Sequence, residues 1–430
     1  MNDRFETAPE ASLDTGHDHT PPMTLFHRLR KITRLAISVL LLSAGPALAD
    51  DRDFATIRDA ARGQTVYFNA WGGDDKINDY IAWASDEMAR RHGITLKLVK
   101  LSDTAAAVSR ILSEKAAGRD TGGSVDLLWV NGENFAALKR NGLLQSAPWA
   151  ESLPSWRFTD AEALPAIRLD FAVPTDGLES PWGRAQLVFA HDSSRLAVPP
   201  RSAEDLAAYI INTPGRFTYP QPPDFVGLSF LKQILIETAL DTAPLYQPVD
   251  PARFGEVTAP LWRWLDSVTP HLWRGGRAYP VNYPMQRQLL ADGEVDIAIA
   301  FNPADASSAI ERGELPASVR TYIHAGGTIA NVHFLAIPFN ANAPEAARIV
   351  ADFLLSPEAQ LRKADPRIWG DPTVLAMHRL SEADRDGFAA LPRGVATLSE
   401  ADLATTLTEP HPSWMKAIET EWRRRYASGG

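Results

Sequence analysis

The 430-residue chain contains no cysteine. It therefore has no thiol to protect in an oxidising compartment and no disulfide to staple it. It has no surplus of base. Its 43 Lys and Arg stand against 53 Asp and Glu, a formal charge of −10, which argues against a broad basic face for nucleic acid. It has one notable apolar run, "LAISVLLL" near the N-terminus, too short to span a bilayer as a mature helix. Common catalytic signatures are missing too. No G-x-S-x-G elbow, H-E-x-x-H helix or G-x-x-x-x-G-K-[ST] loop occurs. The ten histidines are scattered, with no pair at zinc-helix spacing. No cofactor, metal or catalytic residue is expected.

What is present is ordinary globular material. Hydrophobic residues make up 45% and charged residues 22%, enough for a large core and two or three domains. The N-terminal region has a different character. "FHRLRKITR" is a basic n-region, "LAISVLLL" an apolar h-region, and "SAGPALAD" an Ala-x-Ala site with Ala47 and Ala49. Together they read as a signal peptide over 1–49, cleaved after Ala49, with Asp50 as the mature start. With no cysteine at that point, the exported chain is expected to be free rather than lipid-anchored. Residues 1–22 are polar and acidic, and Met23 opens a well-formed signal peptide, so Met23 is the expected start. Removing 1–49 takes five bases and five acids, leaving the net charge unchanged.

Beyond residue 50 strands and helices alternate. "TVYFNA" (65–70) reads as a buried strand, and Ile77, Tyr80, Ile81, Ala84 and Met88 follow at helical spacing. "ITLKLVK" and "VDLLWV" are further strands, and the helices between end at Gly118 and Gly142. This β-α-β-α-β-α order predicts a parallel sheet covered by helices. A Pro-rich stretch follows, then a strand over 182–192, a second α/β set with strands at "RFTY" and 294–302, a strand over 331–340, and a mostly helical remainder. Two α/β lobes joined by crossover strands near 182–192 and 331–338 are expected, with a hinge and a cleft between them. The first lobe takes 50–183, the second 184–332, and 333–430 returns to the first.

Several stretches carry a family likeness. "VYFNAWGGDDKINDYI", "GSVDLLWVNGENFAALKRNGLL", "DIAIAFNPADAS" and "FLLSPEAQ" follow a signal peptide in that order. The chain resembles the type II periplasmic binding proteins of ABC importers, in particular their YnjB-like branch, from about Thr65 to the C-terminal helices. The resemblance implies two lobes around a ligand cleft, no catalysis, a periplasmic location, and delivery of a small solute to an inner-membrane permease with a cytoplasmic ATPase. A monomer is expected. Family members take solutes of very different charge, so the resemblance leaves the solute open. A secreted α/β enzyme using the same cleft, or a ligand-binding partner of a membrane sensor, are the alternative readings.

Open α/β sheets bind ligands beyond the carboxyl ends of their strands, which singles out the strand-to-helix corners. At the first, Trp71 offers a ring, Gly72 and Gly73 allow close approach, and Asp74 either contacts a cationic ligand or caps the helix. At the next, Asn131 is the preferred contact, and Glu133 is a cap candidate. Trp182 and Arg184 begin the first crossover. Tyr219 ends a strand, Tyr279, Asn282 and Tyr283 sit in an irregular segment, and Asn302 follows a strand as contact or cap. Each aromatic could equally be core. Candidate aromatics outnumber candidate cations, favouring an organic solute with a stackable or cationic part. Ferric iron is disfavoured by the absence of an adjacent Tyr-Tyr pair.

Overall fold

The computed structural model describes residues 47–399 and 401–427. The expected signal peptide and the expected start at Met23 lie outside the described residues, apart from the last residues before the cleavage point. The chain opens with α1 (Ala47–Ala61) and β1 (Thr65–Trp71). Asp74 then caps α2 (Asp75–His92), its Oδ1 accepting the Lys76 N–H at 2.8 Å. Ile77, Tyr80, Ile81, Ala84 and Met88 are buried, as their spacing predicts, and Gly93 closes the helix at φ 65°. β2 (Thr95–Leu101), α3 (Ala105–Ala116), β3 (Leu127–Val130) and α4 (Gly132–Arg140) follow. β1 runs parallel to β2 and to β3.

A small hairpin of β4 (Leu169–Asp170) and β5 (Val173–Pro174) leads to β6 (Glu179–Gln186) and β7 (Val188–Asp192). The single strand expected over 182–192 is thus two, divided at Leu187, because the chain there leaves one sheet for another. Next come α5 (Ala203–Asn212), α6 (Phe225–Thr238), α7 (Phe254–Val268), α8 (Tyr283–Ala291), β8 (Ile297–Ala300), α9 (Asp305–Glu311) and β9 (Val319–Tyr322). "RFTY" contributes only a bridge, Phe217 beside Ile297. The return passes through β10 (Thr328–Ala336), α10 (Pro344–Leu355), α11 (Pro357–Ala364), α12 (Glu382–Ala389), β11 (Thr406–Thr408) and α13 (Ser413–Tyr426).

Two sheets organise these elements. In the first, the order is β11-β10-β3-β1-β2, with β6 also paired to β10. In the second, β7 lies between β8 and β9, antiparallel to both. The first sheet packs Val66 and Phe68, with Tyr80 of α2, in one cluster with Ile349 and Val350 of α10. The second gathers Phe189, Phe217, Phe230, Leu261 and Ile297. Trp414, Ile418 and Trp422 of α13 belong to this second cluster. The segment 333–430 is therefore divided. β10, α10 and α11 build on the first sheet, whereas α13 lays its apolar stripe on the core of the second. Helical spacing in "SWMKAIETEWRRRY" reveals that stripe but not which core receives it.

Candidate functional site

The first corner is built by close packing. Trp71 ends β1 partly exposed, and its indole folds back over Gly73, where a Cβ would stand 2.7 Å from the ring's Cε2. A Cβ on Gly72 would meet the Lys100 Cβ at 2.6 Å. Neither glycine has positive φ, so space rather than backbone freedom requires them. Asp74 is the helix cap. Asn78, one turn into α2, donates from Nδ2 to the Gly72 carbonyl at 3.2 Å. The Oδ1 of the same amide is buried without a hydrogen-bond partner.

Facing this corner are residues from the half built on the second sheet. Tyr283, the first residue of α8, holds its ring 6.4 Å from Trp71, tilted by 36°. Burial, and then the nearby charges of Asp305, Asp74 and Asp224, push its phenol pKa up against the pull of Arg287. Asp224 caps α6, accepting the Val226 and Gly227 N–H groups at 2.9 and 3.1 Å, and burial pushes its carboxyl up to about 6. Arg287 Nη1 lies 2.7 Å from Asp305. Asn282 is exposed and caps α8 through Met285 N–H at 3.0 Å. Asn302 accepts the Ala304 N–H at 2.9 Å ahead of α9. Beside them Lys76 Nζ and Ser308 Oγ donate to one acceptor, the Pro366 carbonyl, at 2.7 and 2.9 Å.

The second corner differs. Asn131 precedes α4 partly buried and makes no capping bond. Gly132 sits at φ +60°, and its N–H donates to both Asp170 carboxyl oxygens at 2.8 and 2.9 Å. Burial pushes the half-buried Glu133 up to about 7, against the pull of Lys232. Lys232 of α6 is buried with Glu409 at 2.6 Å, its ammonium 4.6 Å from the Phe171 ring centre, and Asn331 Nδ2 also donates to Glu409 at 3.0 Å.

The remaining sequence candidates stand apart from these two corners, Arg184 on the crossover strand and three aromatics in the cores. Arg184 is half-buried on β6, with its backbone N–H on the Pro372 carbonyl at 3.0 Å. Trp182 is fully buried, edge-on to Phe68, Trp129 and Trp369 at 5.1–5.7 Å. Tyr219 is fully buried and accepts the Trp422 Nε1 hydrogen at 2.9 Å. Tyr279 packs 5.2 Å from both Tyr219 and Trp422. The expectation that Trp182, Tyr219 and Tyr279 line a wall meets a structure in which cores hold them. Trp182 is held by the first sheet's aromatics, and the two tyrosines by α13. Residues passed over in the sequence include Asn78 and Lys232. A lysine inside "GLSFLKQILIE" is a usable signal of a buried ion pair. Asn78, at an unremarkable helical position, gives none. Among the described residues, no group of three His, Asp or Glu could hold a metal, and no helix is long and apolar enough to cross a membrane.

Comparison with known proteins bears on this arrangement. Residues 83–382 match the family model of bacterial extracellular solute-binding proteins. Protein YnjB of Escherichia coli is 49% identical over 389 residues, 90% of this chain and 97% of that protein. Among solved structures, the periplasmic binding protein AfuA from Actinobacillus pleuropneumoniae, with fructose-6-phosphate bound, aligns at TM-score 0.60 and 14% identity. It covers 85% of this chain and 99% of AfuA. An ABC transporter substrate-binding protein from Bradyrhizobium japonicum aligns at TM-score 0.59 and 18% identity, over 85% and 99% of the two chains. The fold is that of the type II periplasmic binding proteins, and the chain belongs to the bacterial extracellular solute-binding protein family.

Proposed function

We propose that this protein captures a small solute in the periplasm and delivers it to an inner-membrane ABC permease with a cytoplasmic ATPase, acting as a monomer. The observation that carries this reading is the contact of Trp71 with Tyr283. It sets the carboxyl end of a strand in the first sheet against a helix start from the half built on the second. Strand ends of this kind are where open α/β sheets take ligands. One lobe comprises 50–186 with the β10–α11 return, and the other 187–327 with α13, within a few residues of the expected bounds. The chain crosses between the sheets at Leu187 and between β9 and β10, so the two halves can hinge there. The wall consists of Trp71, Gly72, Gly73, Asp74, Asn131, Arg184, Tyr283 and Asn302, with Asn282 at its rim. Trp182, Tyr219 and Tyr279 are left to the cores.

The test is native mass spectrometry of gently purified protein, followed by small-angle scattering with and without the released solute. A bound small molecule, recovered unchanged, and a more compact particle in its presence are expected. Conversion of the molecule into a product, or a particle free of solute and indifferent to every fraction of cell extract, would overturn the reading.

A further inference from the structure

We propose that the meeting point of Trp71 and Tyr283 is a subsite for a planar cation rich in N–H donors, of the amidinium or guanidinium class. The proposal rests on the cleft reading above and names the chemistry that cleft selects. The two rings come from different halves of the molecule, 6.4 Å apart and tilted by 36°, and both are partly exposed. A flat group can enter between them by a relative movement of the halves, without repacking either core. Ring faces attract positive charge, most strongly where water is excluded.

The surrounding charges favour the same sign. Asp74, Asp224 and Asp305 all lie close enough to act on the Tyr283 phenol, with Arg287 as the opposing charge. Arg287 is engaged by Asp305 and Glu314, Arg312 by Glu314, and Lys76 by the Pro366 carbonyl. The two arginines are thus answered by Asp305 and Glu314, and Lys76 sits on a neutral carbonyl with Glu314 and Asp74 among the acids that act on it. Asp224, the cap of α6, is an acid near Tyr283 with no cation paired to it in an ion pair among the described residues. An independent feature points to a donor on the ligand. Asn78 is only 8% exposed, and its amide nitrogen is committed to Gly72, while Oδ1 has no partner. A buried acceptor left without a donor is costly. Oδ1 is enclosed as the halves stand, so a ligand N–H would satisfy it only on reaching it as they part, and a neutral hydrocarbon ring would not satisfy it at all.

Gly73 makes the subsite possible. Any side chain there would overlap the Trp71 indole and push it out of the position that faces Tyr283.

The experiment uses three probes of one shape and different charge: benzamidinium, benzamide and benzoate. Each is titrated into the full protein near neutral pH while the Trp71 indole N–H is followed by nuclear magnetic resonance. The signal is assigned by its loss in Trp71→Phe. Benzamidinium is expected to move this signal and to bind about ten-fold tighter than benzamide, with benzoate weakest. Tyr283→Leu, which keeps apolar bulk but removes the ring, and Asp224→Asn, which keeps the cap, should each weaken benzamidinium by about five-fold. Asp224→Asn should leave benzamide unchanged. Thermal melts of both variants verify that they fold. Equal binding of benzamide or benzoate, or no movement of the signal up to the solubility limit, overturns the proposal. A co-purified solute that is neutral or anionic overturns the subsite and leaves the cleft reading standing. Protein that carries no solute and never compacts overturns the cleft reading itself.

Discussion

The two strand-to-helix corners of the first sheet are written in similar letters and built on different physics. "NAWGGDD" and "LLWVNGEN" each combine a tryptophan, glycine and an acid at the end of a strand. At the first corner the tryptophan packs on the rim of the first sheet's core and also meets Tyr283 of the other half, the glycine gives it room, and the acid caps a helix. At the second, Trp129 turns inward against Trp182 and Trp369, at 5.1 and 5.7 Å. There the glycine is required by a left-handed backbone, and Glu133 is half-buried beside an ion pair. The lesson is that a corner suited to touching a ligand and a corner suited to bracing the fold can share residue types. What separates them is the partner each ring meets, Tyr283 of the other half for Trp71 and the buried Trp182 and Trp369 for Trp129.

Substitution can widen or collapse that contrast. The largest effect should come from the brace. Trp182→Ala removes a fully buried ring and should cost ~3–5 kcal/mol in urea unfolding, whereas Trp71→Ala should cost less than ~2 kcal/mol without ligand. Equal losses would erase the distinction between the two tryptophans. Next is the pair of glycines. Gly132→Ala puts a side chain on a residue at φ +60° and its Cβ 2.7 Å from the Phe171 ring. A loss of about 3 kcal/mol is expected. Gly73→Ala displaces only a side chain and should cost under ~1 kcal/mol, while abolishing the Trp71 response to benzamidinium.

The acid of the second corner adds a pH dependence. The folded-state pKa of Glu133, about 7, lies above that of an unfolded glutamate, so the native state holds the proton more tightly. Its effect is to lower stability as pH rises from near the usual carboxylate value to about 7. Glu133→Gln should therefore stabilise the free protein above that window, by on the order of 2 kcal/mol, and change little well below it. Stability curves of the two proteins that stay parallel across the window would show the carboxyl to be solvated. Asp74→Ala removes a helix cap and should cost about 1 kcal/mol in the same urea unfolding, and an unchanged midpoint would show the cap to be idle.

Much of the first sheet is legible in the sequence because its signals are local. The apolar spacing of α2, the glycines that close its helices and the Ser-Pro start of α11 each act within a few residues. Ser356, for example, accepts the Ala359 N–H at 3.3 Å. What is not legible depends on partners far along the chain. Nothing near Leu187 says that the strand changes sheets there, since β6 pairs with β10 and β7 with β8 and β9, all more than a hundred residues later. The site divides in the same way. Asp74 and Asn282 are caps whose reason is local. Tyr219 ends a strand-like run just as Trp71 does and Trp182 begins one, and only their distant neighbours, Trp422 and Trp369, place them inside.

The position of α13 has a consequence for biogenesis. The cluster around β7, β8 and β9 lacks Trp414, Ile418 and Trp422 until residues 413–426 have left the ribosome. Until then the half built on that sheet carries an open apolar trough. The first sheet waits for less, since its helical cover ends with Phe388 of α12 and its edge strand β11 is in place by Thr408. A chain arrested between β11 and α13 would hold one finished half and one sticky half. In such a chain, a chaperone that grips exposed hydrocarbon would find its handle on the second sheet.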